Sequence, residues 1–266
     1  MAIRFSFSSL IITAWFLVAL FAGILPLQPD AIMLNKILLP PEFHAWLGYD
    51  DLGRSIAQRL ILGGRTSFLV AMCVVSISFV IGTTVGVMAA WFGGWWDKAT
   101  VLVIDIFIAF PGILLAIALS GLMGPGIMNA VVALSVVGWV GFARLARAQT
   151  LTVKHREHVT AAQALGTDTA GIAIHHILPL IMAPLVIEAT FAIAGTVIAE
   201  AGLSFLGLGV QAPDPSWGSM IRDGARFMLV APHMVLAPGM AILLVVLSIN
   251  LLGDSLRDKM DVRSKD

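Results

Sequence analysis

Three carboxylates stand inside otherwise apolar stretches: Asp105, Glu188 and Glu200. A charged side chain in a bilayer-spanning segment costs at least a few kcal/mol, so it faces a wet cavity or a satisfying partner. Both readings are open for Asp105 and Glu200. Either residue could line a path that tolerates cationic groups. Either could equally be a helix-end carboxylate paired with Arg or held by backbone. Glu188, expected near the start of its helix, is preferred as a structural group. Pro111 interrupts a third apolar stretch and is expected to kink it. His155, His158, His175 and His176 fall in one polar interval. Neutral imidazoles bind metals, but no Cys or carboxylate completes a ligand set with them, so no metal site is expected. No His-Glu-x-x-His, serine elbow or catalytic carboxylate pair is present, and no Gly-x-x-x-x-Gly-Lys-Ser/Thr loop. No catalytic residue is therefore expected, the chain is not expected to be an enzyme, and any nucleotide would be bound by another chain.

The elements that must hold these residues follow from composition. The chain has 266 residues, of which 59% are hydrophobic and 12% charged, and its mean hydropathy is +0.95. Soluble domains carry about 25% charged residues. This is the composition of an all-α integral membrane protein. Formal net charge is zero, so nothing draws the chain to nucleic acid. The single cysteine, Cys73, cannot form an internal disulfide.

Six apolar runs are legible at Ser8–Leu25, Ser67–Ala90, Thr100–Leu119, Ile127–Leu145, Leu180–Gly202 and Val235–Leu252. The first is longer than a signal-peptide core of about 7–15 residues, and no clean cleavage site follows before Pro26. It is read as an uncleaved first helix. Residues 26–65 are too polar to span; Trp46 and Tyr49 suit a membrane–water boundary, and Gln58–Leu62 is expected as a short surface helix. Gly82, Thr83, Thr84 and Gly86 give the second run a small face for helix packing. Residues 91–98, with three tryptophans, read as a tight turn in an aromatic belt.

The longest polar interval, residues 150–179, has the grammar helix, break, helix. Val153–Leu165 contains no Pro or Gly. Gly166 stops it in a left-handed conformation, Thr167 or Asp168 can cap a second helix, and Pro179 closes that helix or opens the next element. Ala161, Ala162 and Ala164 leave the first helix a face on which another backbone can come close.

These residues carry a resemblance. Thr160-Ala161-Ala162, three residues, Gly166, then eleven residues to Leu178-Pro179 resembles the EAA loop of ABC-importer membrane subunits. Thr160 stands where that family usually has Glu, and His176 where it has Ile. Trp46 to Arg54, with Arg59 and Gly64-Arg65-Thr66-Ser67, is similar to the segment before the second helix in the dipeptide, oligopeptide and nickel branch of those importers. In that branch Thr is usual at position 49 and Asp at 55; here they are Tyr and Ser. Ala199 to Gly209 with Pro213, Pro215 and Trp217-Gly218 resembles the end of that branch's fifth helix.

The resemblance implies a type I importer fold of about six transmembrane helices. Residues 1–65 would form a first helix and external loop, 66–254 the transmembrane core, and 255–266 a tail. It implies a permease subunit for di- or oligopeptides or a nickel chelate, in a bacterial inner membrane. The partners would be a second homologous permease, two ATPase subunits that bind ATP and Mg²⁺, a substrate-binding protein and lipid. The expected coupling residues are Thr160, Ala161, Ala162, Gly166, Asp168, Leu178 and Pro179. The expected path residues are Asp105, Pro111, Glu188 and Glu200. Asp50, Arg54, Trp217 and Arg222 are expected to face the binding protein. Six crossings put both termini beside the 150–179 loop, and Lys plus Arg number ten on that side against six on the other. The positive-inside rule then makes that side cytoplasmic. The alternative is a secondary transporter driven by an ion gradient through the buried carboxylates; it would have no use for a docking loop.

Overall fold

The fold is that of a computed structural model, which describes residues 2–43 and 45–260, with side chains from Phe7 onward. The side chain of Arg4, and Arg263 and Lys265 in the tail, lie outside the described residues. The helices are α1 (Ala2–Phe21), α2 (Ile56–Phe92), α3 (Gly94–Ala109), α4 (Gly112–Met123) and α5 (Ile127–Val153), then α6 (Glu157–Ala164), α7 (Thr169–Ile172), α8 (Leu178–Phe205), α9 (Trp217–Ala225) and α10 (His233–Met260). Among the described residues there is no sheet, only two isolated bridges in the loop after α1, Glu42 to Ala45 and Tyr49 to Ser55.

Four passes are long and apolar enough to cross a bilayer: α2, α5, the run Thr169–Phe205 that ends in α8, and α10. The pair α3 and α4 together makes a fifth, bent by 87°. The apolar part of α1, Phe7–Phe21, is shorter. It ends at Phe21 rather than Leu25, because the chain turns at once and leaves Ile24 exposed.

Two further boundaries differ from expectation. Gln58–Leu62 is not a separate surface helix, because α2 runs unbroken for 37 residues; nothing between Ile56 and Phe92 removes a backbone donor. The junction at residue 65 therefore lies inside α2. Pro111 does more than kink its helix. It lacks an N–H and holds Phe110 extended at φ −99° and ψ 139°, so α3 stops and α4 starts in a new direction.

Contacts sort the helix termini to two ends. At one end, which carries α6 and α7, Arg147 near the close of α5 holds Asp97 at the start of α3 through two bonds of 2.5 and 2.7 Å. Lys154 there donates to the Ala90 carbonyl of α2 at 2.9 Å. At the other end, capped by α9, the Gly126 N–H before α5 donates to the Leu208 carbonyl after α8 at 3.2 Å. His233, opening α10, lies 3.3 Å from the Tyr49 carbonyl. Thus α3 begins at the loop end, α4 finishes at the cap end, and the bent pair traverses the molecule.

The axis of the bundle is the α2–α5 contact. A Cβ on Gly82 would overlap the Trp139 carbonyl, and one on Gly86 the Ala143 carbonyl. Bare glycines let these backbones touch, the small-residue packing that holds helices together in lipid. Ser67 and Glu200 then join α2 to α8, while Trp15 of α1 stacks on Trp217 of α9 with ring centroids 6.0 Å apart.

Candidate functional site

The polar loop is a short helix laid across the loop end. Val153 ends α5 instead of opening the next helix; the chain turns through Lys154–Arg156 and α6 begins at Glu157. Val159 and Ala162 are buried, and Val159 packs with Ile172, Ile177 and Ile181. Thr160 and Ala161 are exposed, with Leu165 at 87%. The small face is therefore divided: Ala162 fixes α6 to its own chain, which corrects the expectation that it meets a partner, while Ala161 remains free to do so. Thr160 spends its hydroxyl on its own helix, donating to the Glu157 carbonyl at 2.9 Å.

Gly166 takes φ +84°. Its N–H donates to the Gln163 carbonyl, and the Thr167 N–H to the Ala162 carbonyl, both at 3.1 Å. This is the double bond pattern of a left-handed helix stop. Asp168 caps α7, accepting from the Gly171 N–H at 3.2 Å. A single π-type turn, Ala173–Ile177, leads into α8, in which Pro179 is the second residue. Leu178 is half-buried. His158 and His176 come together with ring centroids 6.4 Å apart.

The carboxylates separate clearly. Glu200 is buried at 1% exposure. Ser67 donates to its Oε2 at 2.9 Å and Ser204 to its Oε1 at 2.7 Å. It is a hub between α2 and α8, not a group on a wet path, and this corrects its place among the path residues. Glu188 lies ten residues into α8 rather than at a helix start, half-buried against Gly141 of α5, with no hydrogen-bond partner among the described residues. Asp105 is exposed on α3, likewise without a partner among the described residues. Of the four expected path residues, Asp105 and the Pro111 bend lie on the outer surface of the chain.

At the cap end, Asp50 is buried. It accepts from the Leu52 and Arg54 N–H groups at 2.9 and 2.8 Å and from Arg54 Nε at 2.7 Å. Arg59 adds contacts to Asp50 at 3.8 Å and Asp30 at 3.0 Å. Trp217 is also buried and donates to the Leu60 carbonyl at 3.0 Å. Asp50 and Trp217 therefore build the cap from within; neither offers a surface to a partner, contrary to expectation. Arg54 is bound up with Asp50, whereas Arg222 is half-exposed beside Asp223. Burial, with the charge of Asp50 beside it, holds the Asp51 carboxyl above the usual carboxylate range.

Sequence reasoning missed the Arg147–Asp97 clamp and the serine shell of Glu200. The second had a readable signal, since Glu200 and Ser204 are one helical turn apart. The first joins residues fifty positions apart and had none.

A bundle of long apolar helices with a polar docking loop at one end and a folded cap at the other is a polytopic transport subunit in design. Residues 82–265 match the family described as binding-protein-dependent transport system inner membrane component. The chain belongs to that family. It is 40% identical over 258 residues to the dipeptide transport system permease protein DppC of Alkalihalophilus pseudofirmus, covering 96% of this chain and 84% of that one. It is 41% identical over 225 residues to the glutathione transport system permease protein GsiD of Pectobacterium atrosepticum, covering 85% and 75%. Its fold is similar to a chain of the MetNI methionine ABC transporter in inward-facing conformations, with a TM-score of 0.60, 22% identity, and 76% and 97% coverage. The chain is thus a multi-pass inner-membrane permease subunit with the type I ABC-importer fold, and the ion-gradient alternative is set aside.

Proposed function

We propose that this chain forms half of the translocation path of an ATP-driven importer for short peptides or peptide-like molecules. The observation that carries the cargo class is the 40% identity to a dipeptide permease across 96% of the chain; the glutathione permease stands at a similar level. A second permease subunit completes the path. ATP and Mg²⁺ are bound by two ATPase subunits, not by this chain. The loop end docks on an ATPase through the exposed side of α6, with Ala161, Leu165 and the Gly166 bend outermost. Its buried side and the Lys154 bond tie that movement to α5 and α2. The loop end is cytoplasmic, supported by the Lys and Arg balance. The cap receives the substrate-binding protein, with Arg222 at its surface.

The test is uptake of a labelled dipeptide into proteoliposomes holding the complete complex and its binding protein. ATP-dependent uptake, suppressed by excess unlabelled peptide or glutathione and not by a nickel chelate, is expected. Uptake driven by an ion gradient without ATP would overturn the reading, and suppression by the nickel chelate alone would overturn the cargo class.

A further inference from the structure

A cavity of about 490 Å³ opens at the cap end, between the turn after α1, the first turns of α2, the start of α5 and residues 210–215. Small-molecule sites run to about 300–1,000 Å³. Its walls are largely apolar, with Leu62, Leu69, Ile127 and Val210 among them. Two charges line it that nothing else in the fold uses. Arg65 makes no hydrogen bond or ion pair among the described residues, and its Nε is buried without a partner. Its guanidinium is seated against Gly23, where a Cβ would overlap it, so the α1 turn leaves a berth for this side chain. The other lining charge is Asp214, exposed and without a partner among the described residues.

The contrast with the neighbouring arginines is informative. Arg54, Arg59 and Arg222, at the same end, each hold a carboxylate. Asp30, which also lines the cavity, is committed to Arg59. A guanidinium presents a planar fork that matches a carboxylate, and the buried Nε of Arg65 lacks the partner that such a fork would find. A ligand carrying only negative charge would meet Arg65 but also Asp214 and Asp30. A ligand with only positive charge would face Arg65. The arrangement suits a molecule that carries both signs on an apolar body.

We propose that this cavity is a receiving site for a small zwitterion, with its carboxylate on Arg65 and its ammonium toward Asp214. Resting on the importer reading, the zwitterion is a short peptide with free termini, held at the cap between release from the binding protein and entry to the path. An ethanolamine lipid headgroup, with phosphate for carboxylate, shares this chemistry and is separated by the test.

The test uses the complete permease–ATPase complex without binding protein. Cys73, the only cysteine of this chain, is replaced by Ser, and Ala212→Cys places a thiol on the cavity wall. Labelling of that thiol by a methanethiosulfonate reagent is timed with and without millimolar glycyl-leucine. Glycyl-leucine should slow labelling, while its N-acetylated and C-amidated forms should not. Arg65→Gln and Asp214→Asn should each raise the half-protecting concentration about tenfold, the ratio that 1.4 kcal/mol gives, and Arg65→Lys by less. Asp214 is exposed, so its variant keeps the test valid if Arg65→Gln fails to assemble. Equal labelling with and without peptide, or equal protection by the blocked peptides, would overturn the site. Protection set by phosphatidylethanolamine in nanodiscs, with no response to peptide, would overturn the peptide assignment. Peptide uptake once the binding protein is restored to this complex, without protection in its absence, would discard the site and leave the importer reading standing. Protection, with no peptide uptake even after the binding protein is restored, would keep the site and discard that reading.

Discussion

Glu200 is held by hydroxyls from two helices, Ser67 of α2 and Ser204 of α8, and is sealed from solvent. Removing its acceptors strands both hydroxyls, at about 1–3 kcal/mol each. Glu200→Ala should therefore lower the yield and the thermal stability of the detergent-solubilised subunit, while Glu200→Gln, which keeps an acceptor and the shape, should lose much less. Full stability of Glu200→Ala would refute the hub role. Asp105 is the opposite case. Exposed and unpartnered among the described residues, it should tolerate Asp105→Ala in assembly and lose transport if it lines the path; unchanged uptake would remove it from the path. Both residues look alike in the sequence, a carboxylate in an apolar run. Only the fold tells them apart, because burial depends on which helix comes to lie alongside. Asp51 allows a test by pH. Its carboxyl is raised by burial and by Asp50, so its charged form disfavours the folded cap. That penalty is present at neutral pH and fades as pH falls through the raised value. Asp51→Asn should thus make the loop between α1 and α2 more resistant to proteolysis at pH 7, with the advantage over wild type vanishing in acid. An advantage that grows in acid would reverse the sign of the argument.

At the scale of elements, the helix stop at Gly166 is backbone alone. A Cβ there would meet nothing within 4 Å, yet φ is +84°. A β-branched residue must then carry the left-handed strain of roughly 1–2 kcal/mol without any clash. That is too little to unfold the bundle and enough to redirect α6. Gly166→Val should insert normally, but retain the ATPase weakly or let it hydrolyse ATP without transport, with Gly166→Ala a weaker copy. The measurements are subunit retention on purification and binding-protein-stimulated ATPase activity; wild-type values for Gly166→Val would separate this loop from coupling. Gly166 and the Asp168 cap were legible because both are local: a glycine after a helix-forming run, an acid before the next. The division of Ala161 from Ala162 was not legible. It depends on the apolar floor made by Val159, Ile172 and Ile181, which a spacing rule sees only as hydrophobic residues. The Pro111 break was visible as a position but not as an 87° turn, since proline fixes one φ and the neighbouring helices fix the direction.

For the whole molecule, the decisive matter is whether α3 and α4 cross the membrane together. A sharp bend admits a re-entrant hairpin, which would put the loops before α3 and after α4 on one side. The contacts oppose that. Asp97, at the head of α3, is clamped to Arg147 near the end of α5, while Gly126, just past α4, begins α5 and bonds to the segment after α8. The two ends of the pair are thus fastened near opposite ends of α5, whose 27 residues extend about 40 Å at 1.5 Å per residue. With α1, α2, the α3–α4 pair, α5, α8 and α10 alternating in direction, the loop end gathers 93–97, 150–177 and the exit of α10. The cap end gathers 22–55, 124–126 and 206–232. Reporters fused after Gly94 and after Asp168 should therefore read cytoplasmic, and reporters after Gly124 and after Gln211 external. Gly124 and Gly94 on the same side would make the bent pair a hairpin, invert every element after it and move the EAA-like loop away from the ATPases. A wholesale exchange of both sets would keep the fold and overturn only the orientation drawn from the Lys and Arg balance, in which ten residues stand against six.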